Sequence, residues 1–314
     1  MLPHKLRVSI ITPTLNQAEF IEDTIRSVLG QGYPNVEYII VDGGSTDGTL
    51  DILRRYEDRL RWISEPDRGQ ASAINKGFRL ASGDILGWLN SDDIYMDGAI
   101  ETVVRHFAEH PQHAFVYGNA LALNREGKSY GVRSHVKQAD LDMLLNESDY
   151  IVQPAAFWRR SLWTTLGELD EDLFYTLDYE YWMRAAKVYR LYHIPVCLAA
   201  ERMYGDAKTF KGSIQRLVEI EQVALRHGGD GMPRRFQPEA RATYLAEGIH
   251  LCLQGRFREG RQLLAKARSY RGNFVLFSVY AVVILLLGYD RLSILRLHGN
   301  RLRRLKRWLT RAKP

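Results

Sequence analysis

The side chains best equipped for chemistry are carboxylates that close apolar runs. Asp92 and Asp93 end GDILGWLNSDD, and Asp42 ends VEYIIVD. Negative groups crowded at the end of a buried strand are costly unless something cationic meets them. A hard divalent ion, Mg2+ or Mn2+, binds through one or two carboxylates and completes its shell with phosphate oxygens and water. The pattern therefore points to a metal-bridged diphosphate, against the plainer reading of Asp as a turn residue. A second acidic stretch, YTLDYEYWMR, places Asp178 and Glu180 near the start of a helical pattern. A carboxylate there suits either a general base or a helix N-cap, and the two roles are compatible.

Such groups need a scaffold that brings them together. RVSIITPT, VEYIIVD, LRWISE and DILGWLN read as strands of four to eight residues. Between them Ile21, Ile25, Val28 and Leu29, and later Ala71, Ile74, Phe78 and Ala81, repeat at helical spacing. Strands alternating with helices imply an α/β fold with a mostly parallel sheet. Ligands of such sheets bind beyond the carboxyl ends of the strands. Thr12-Pro13-Thr14, Asp42, Glu65-Pro66-Asp67 and Asp92-Asp93 each follow a strand, so four loops are expected to converge on one acidic crevice.

The runs SIITPTLNQAEFIEDTIRSVLGQGYPNVEYIIVDGGSTDGT, EPDRGQASAINKGF and GDILGWLNSDD resemble the family 2 glycosyltransferases, over roughly residues 6–205. The resemblance implies a GT-A type, Rossmann-like sheet flanked by helices and an inverting sugar transfer. It implies that Pro13 and Thr14 lie against a nucleotide and that Asp42 accepts a hydrogen bond from its base. Asp67 and Arg68 would line the pocket near the nucleotide sugar. Asp92 would be the metal ligand, Asp93 would sit beside the donor sugar, and Asp178 would be the base, with Glu180 as substitute. The sequence departs from the family pattern at Asn90, where many members carry the first acid of a DXD-type motif.

Other signals are read from the residues alone. Gln153, Phe157 and Trp158 in VQPAAFWRR are candidates for an acceptor wall, because flat rings suit sugar faces; core packing is the competing role, and the stronger one for Phe157. Arg202, Tyr204 and Lys208 in ERMYGDAKTF are candidate phosphate contacts on a loop, as readily a solvated basic loop. His106, His110 and His113 share a helical spacing, but Pro111 interrupts it and no metal site is expected. GGSTDG lacks the GK[ST] ending of a phosphate-binding P-loop.

Composition sets the limits. The 314 residues exceed one typical domain, and two cysteines, Cys197 and Cys252, make no disulfide framework. The net charge of +6 resides in the tail: Arg291–Pro314 holds nine Lys/Arg and no acids, leaving residues 1–290 near −3. That excludes a basic nucleic-acid groove in the main body. The N-terminus shows no long apolar export signal.

Three parts are expected: a glycosyltransferase domain over 1–210, a helical appendage over 211–270 resembling one tetratricopeptide-like hairpin, and a tail over 271–314. Residues 272–289 carry no charge and would span about 27 Å as a helix, at the short limit for crossing a bilayer. Both flanks are basic and want the same side. A re-entrant or interfacial helix followed by a cationic amphipathic one is therefore favoured over a crossing, with burial in a homodimer as the alternative. The expected enzyme is cytoplasmic and attached to the inner membrane face. It moves a sugar from a nucleotide-sugar donor, UDP-type favoured, to a saccharide or lipid-linked acceptor. The competing classes are a sugar-1-phosphate nucleotidyltransferase, for which TPTLNQ offers no Gly-rich basic loop, and a non-catalytic nucleotide-sugar-binding or membrane scaffold protein.

Overall fold

Short β-branched runs become strands, and the helical-period segments between them become helices that cover the sheet. The computed structural model describes residues 6–133, 139–205, 207–208 and 214–270. In chain order these form β1 (Val8–Thr14), α1 (Ile21–Leu29), β2 (Val36–Asp42), α2 (Thr49–Arg54), β3 (Arg61–Ser64) and α3 (Gln70–Leu80). There follow β4 (Ile85–Trp88), β5 (Ile94–Tyr95), α4 (Ala99–Glu109), β6 (Phe115–Leu123) and β7 (Ser129–Arg133). Then come β8 (Ala156–Arg159), α5 (Arg160–Leu166), α6 (Leu177–Val188) and β9 (Leu191–Arg202). All of these lie in one compact unit, up to Arg202, which also takes in Arg226–Gly229; Met203–Leu225 and the chain from Asp230 belong to a second.

The sheet runs β3-β2-β1-β4-β8-β6-β9-β5, with β7 paired to β6. Its first four strands are parallel. Beyond β4 it is mixed: β8 runs antiparallel to β4 and β6, β9 runs parallel to β6, and β5 and β7 are antiparallel to their neighbours. The order reverses at β1, which has β2 on one side and β4 on the other. Register shapes the opening there. Ile11 pairs with Trp88, after which β4 stops pairing with β1, while β1 continues beside β2 until Thr14 meets Asp42. The strand order thus makes the end of β1 a topological switch point, the place where ligands of open α/β sheets bind and where the crevice is expected.

Packing fixes the strands in place. Ile21, Ile25 and Val28 of α1 and Ile100, Val103, Val104 and Phe107 of α4 bury against Ile10, Ile40, Ile85 and Phe157. The helix α3 packs closely on β1, since a Cβ on Gly77 would sit 2.3 Å from Ile11 Cγ2.

In the second unit, helix Ile214–Arg226 buries Leu217, Ile220 and Val223. Helices Gln237–Leu253 and Phe257–Ser269 form a hairpin whose turn uses Gly255 at φ +81°. They meet where a Cβ on Gly260 would lie 2.7 Å from the Gly248 carbonyl. Among the described residues no helix is long and apolar enough to cross a membrane. The hydrophobic helix and basic tail expected over 271–314 lie outside the described residues.

Candidate active site

Asp42 ends β2 fully buried. Its Oδ2 accepts hydrogen bonds from the Gly44 and Ser45 N–H groups, both at 2.9 Å, and from Ser64 Oγ at 2.7 Å. Its Oδ1 accepts from Ser45 Oγ at 2.5 Å. Four donors therefore compensate one carboxylate without any cation. Ser45 Oγ also accepts from the Asn16 N–H at 2.7 Å, and Asn16 Oδ1 accepts from the Thr46 N–H at 2.8 Å. These bonds lock the TPTLNQ and GGSTDG turns together, with Asn16 in the left-handed region that asparagine tolerates. Pro13 and Thr14 are buried at the end of β1, and the Thr14 hydroxyl has no hydrogen-bond partner.

Asp67 is half-buried against Gly43, where any Cβ would lie 2.9 Å from Asp67 Oδ2, and it accepts the Gly69 N–H at 2.8 Å. Arg68 is exposed and pairs with Glu171 at 2.5 Å. The Glu171 loop is fastened to α3 through buried Asn75, which exchanges hydrogen bonds with the Leu169 backbone at 2.9 and 3.0 Å.

Beyond β4, Asp92 is half-buried and Asp93 buried. The Asp93 carboxylate accepts the Arg202 N–H at 2.9 Å and Asn90 Nδ2 at 3.3 Å, and its carbonyl accepts Thr24 Oγ1 at 2.7 Å. Burial, then the charges of Asp92 and Glu201, push Asp93 well above the usual carboxylate range, although Arg202 and Asn90 pull the other way.

One expectation is corrected here. Arg202 ends strand β9 rather than lying on a loop, and it is buried. Its guanidinium donates to the Asp92 carbonyl at 3.0 Å, the Arg125 carbonyl at 2.8 Å and Asp23 at 3.2 Å, so it pins the Asp92 turn instead of reaching for phosphate. Asn90 Oδ1 already accepts Gln70 Nε2 and Trp88 Nε1, both at 2.8 Å, so both lone pairs are occupied by protein donors.

The acceptor wall is also corrected. Trp158 is 1% exposed and sits in an aromatic core, with ring centroids 5.5 Å from Phe78 and 5.6 Å from Trp182. Phe157 is fully buried on the opposite face of the strand. Gln153 is buried, donating to the Trp88 carbonyl at 2.7 Å and accepting Asn90 Nδ2 at 2.9 Å. The packed sheet leaves neither ring open to a ligand.

Asp178 lies in the first turn of α6, half-buried, and its Oδ1 accepts the Tyr179 N–H at 2.8 Å. The cap position is held by Thr176, so Asp178 is not the N-cap. Glu180, the substitute base, is buried between Arg184 at 2.9 Å and His227 at 3.1 Å, which removes it from that role. Asp149, which the sequence did not single out, stands within electrostatic reach of Asp178, Glu201 and Arg133; burial, then the Asp178 charge, raises its carboxyl well above the usual range. It lies 29 residues before Asp178 in a segment without periodicity, so no local pattern marks it.

His106, His110 and His113 do gather, His106 Nε2 lying 2.9 Å from His113 Nδ1. Yet among the described residues no group of three His, Cys, Asp or Glu is placed to hold a metal ion. At the crevice the protein donor set is small. Asp93 and Asn90 are engaged by protein partners, and the resemblance assigns the ion to the Asp92 carboxylate. That set fits only an ion that takes most of its shell from phosphate and water.

The profile of the glycosyl transferase family 2 matches residues 9–166. The chain belongs to that family. An uncharacterized glycosyltransferase of Rickettsia typhi is 30% identical over 220 residues, covering 68% of this chain and 69% of that protein. A PGL/p-HBAD biosynthesis glycosyltransferase of Mycobacterium bovis is 32% identical over 197 residues, covering 60% and 74%. Among solved structures, S. aureus TarS in complex with UDP superposes with a TM-score of 0.60 at 16% identity, over 94% of this chain and 92% of that one. A mannosyltransferase from Pyrobaculum calidifontis, in complex with GDP-Man and Mn2+, gives 0.56 at 22%, over 92% and 83%. This family 2 glycosyltransferase thus has the GT-A fold that its motifs implied.

Proposed function

We propose that the enzyme transfers a hexose-type sugar, with inversion, from a UDP-type nucleotide sugar to a hydroxyl of a saccharide or lipid-linked acceptor. The observation that carries this reading is the switch-point crevice itself. There β1 ends on Thr14, whose buried hydroxyl has no hydrogen-bond partner, and the chain beyond β4 carries the half-buried Asp92. A ligand with hydrogen-bonding and phosphate groups satisfies the first and, through a divalent cation, the second. Relatives support the setting: one carries the name of a PGL/p-HBAD biosynthesis enzyme, and another, from Bacillus subtilis, of a putative teichuronic acid biosynthesis enzyme. Surface polysaccharide or glycolipid synthesis follows as the role.

Pro13, Thr14 and Asp42 would seat the nucleotide, with Asp67 and Arg68 toward its sugar. Asp93, held by Arg202 and Asn90, would lie beside the donor sugar. Asp92 would hold Mg2+ or Mn2+, which supplies stabilisation of the charge that builds on the departing diphosphate. Asp178 would accept the acceptor hydroxyl proton as that oxygen attacks the anomeric carbon and the bond to the diphosphate oxygen breaks. The basic, uncharged-then-cationic sequence of 271–314 supports attachment to the inner membrane face of the cytoplasm.

The test is transfer and donor hydrolysis by wild type and Asp178→Asn, with UDP-, GDP- and dTDP-sugars and Mn2+. Thermal shift reports binding separately, since a true ligand stabilises the fold by mass action. The variant is expected to bind donor as wild type does and to lose about 100-fold or more in turnover. Undiminished turnover by the variant would remove Asp178 from the role of base.

A further inference from the structure

The side chain of Asn90 joins four parts of the site through one amide. Its Oδ1 accepts Gln70 Nε2, from the first residue of α3, and Trp88 Nε1, from the last residue of β4, both at 2.8 Å. Its Nδ2 donates to Gln153 Oε1 at 2.9 Å and to Asp93 Oδ2 at 3.3 Å. Gln153 Nε2 closes the ring on the Trp88 carbonyl at 2.7 Å, and the Asp93 N–H donates to the Asn90 carbonyl at 3.1 Å. An amide offers two donor hydrogens and two acceptor lone pairs, and here all four are used.

That census dictates the residue type. A carboxylate at position 90 would keep the bonds from Gln70 and Trp88. Its second oxygen, however, would face Gln153 Oε1 and Asp93 Oδ2, two acceptors with no hydrogen between them. Gln153 cannot turn its amide round to help without taking its Nε2 off the Trp88 carbonyl. An apolar residue would instead orphan the Trp88 indole N–H and the Gln153 oxygen.

We propose that Asn90 is a positioning residue that aims the Asp93 carboxylate into the crevice, and that this position requires an amide where a metal-binding acid would disrupt the site. The inference rests on the glycosyltransferase reading for its effect on turnover. The hydrogen-bond requirement itself does not. Restoring an acid at position 90 should therefore damage the enzyme rather than improve its metal use.

Two arms of one experiment separate these. In the first, the metal-free full chain is melted with and without Mn2+ for wild type and Asn90→Asp. The expected result is a melting temperature at least 5 °C lower for the variant, with no larger rise on adding Mn2+ than wild type shows. A variant as stable as wild type, or one that Mn2+ stabilises selectively, overturns the proposal and makes position 90 a metal ligand. In the second arm, kcat and the donor KM are measured for Gln153→Met, which removes the partner of Asn90 while leaving Asp92 and Asp93 in place. A tenfold or greater fall in kcat with donor KM within threefold supports positioning. Wild-type kcat in a folded Gln153→Met protein overturns it. Absence of turnover in wild type itself, with the expected melting result, would count against the proposed function and leave the amide requirement standing.

Discussion

Asp42→Asn tests how the acidic rim is held together. Two accounts of Asp42 predict opposite signs. If the carboxylate awaits a cation, the ligand-free protein carries an uncompensated buried charge, and the isosteric amide relieves it. Replacing such a charge is neutral or stabilising. The geometry argues otherwise, because three donors converge on Oδ2 and one on Oδ1. The asparagine would keep its oxygen at the Oδ2 position, facing the Gly44 and Ser45 N–H groups and Ser64. Its NH2 would fall at the Oδ1 position, where Ser45 Oγ can rotate its hydrogen away and accept. No backbone donor is orphaned, although the Ser45 hydroxyl gives up its acceptor, and three charge-assisted bonds become neutral ones of about half the strength. At about 1 kcal/mol for each, the loss is about 3 kcal/mol. For a unit of some 200 residues this corresponds to a fall in Tm of about 6–12 °C. Urea unfolding followed by tryptophan fluorescence, without nucleotide or metal, measures it. A variant equal to or more stable than wild type would refute the claim that protein donors alone balance this carboxylate.

Three further outcomes follow from other parts of the structure. Arg202→Met deletes a buried fork that holds the Asp92 and Arg125 carbonyls, so stability should fall by about 2–4 kcal/mol in denaturant titration. Arg202→Lys should recover little, since an ammonium cannot reproduce the fork. Burial, then the charges of His110 and His113, holds His106 down at about 4, below its ordinary 6.5. The folded protein then binds fewer protons than the unfolded chain between these values, so stability is present above pH 6.5 and drains away toward pH 4. Tm measured from pH 7 to 4.5 should fall more steeply for wild type than for His106→Gln, and parallel slopes would contradict this. Gly260→Ala pushes a methyl group to 2.4 Å from Cys252 Sγ and 2.7 Å from the Gly248 carbonyl, which should destabilise the helical hairpin by about 1–3 kcal/mol, readable as lost ellipticity on heating.

Much of the fold could be read from the chain because its signals are local. VEYIIVD became β2 with those bounds, and each acidic cluster closes a strand of the parallel half, where period and turn chemistry lie side by side in the sequence. Where partners come from afar, the reading failed. Phe157 packs in the core, as favoured for it, but Trp158 beside it on β8 is buried too, because a central strand covered on both faces leaves no ring for the cleft. Arg202 was expected on a loop, and Pro195 in the run before it argues against a continuous strand. The sheet absorbs that proline with register shifts between Tyr117 and Ala120, and β9 continues for 12 residues to deliver Arg202 beside Asp92 and Asp93. The separation of 109 positions between Asp93 and Arg202 leaves no trace of that bond in either segment.

The same contrast changes the electrostatic premise. Acidic residues at three strand ends suggested that a cation must make them tolerable. In the fold, Asp42 is met by two N–H groups and two hydroxyls, and Asp93 by the Arg202 N–H and the Asn90 amide. The guanidinium of Arg202 donates to the Asp92 carbonyl, so it fixes the turn through its backbone. A divalent ion is thus not required to hold Asp42 and Asp93 before substrate arrives, and under the proposed function it would be held by Asp92. One protein carboxylate is a poor site for free Mg2+, which dehydrates reluctantly, but an adequate one for an ion already bound to a diphosphate. Metal and nucleotide should therefore bind as a unit. Titrated alone, Mn2+ should leave the melting temperature within about 1 °C of its starting value, and with UDP it should add several degrees beyond UDP alone. Tight binding of Mn2+ without nucleotide would show that the protein supplies more ligands than Asp92.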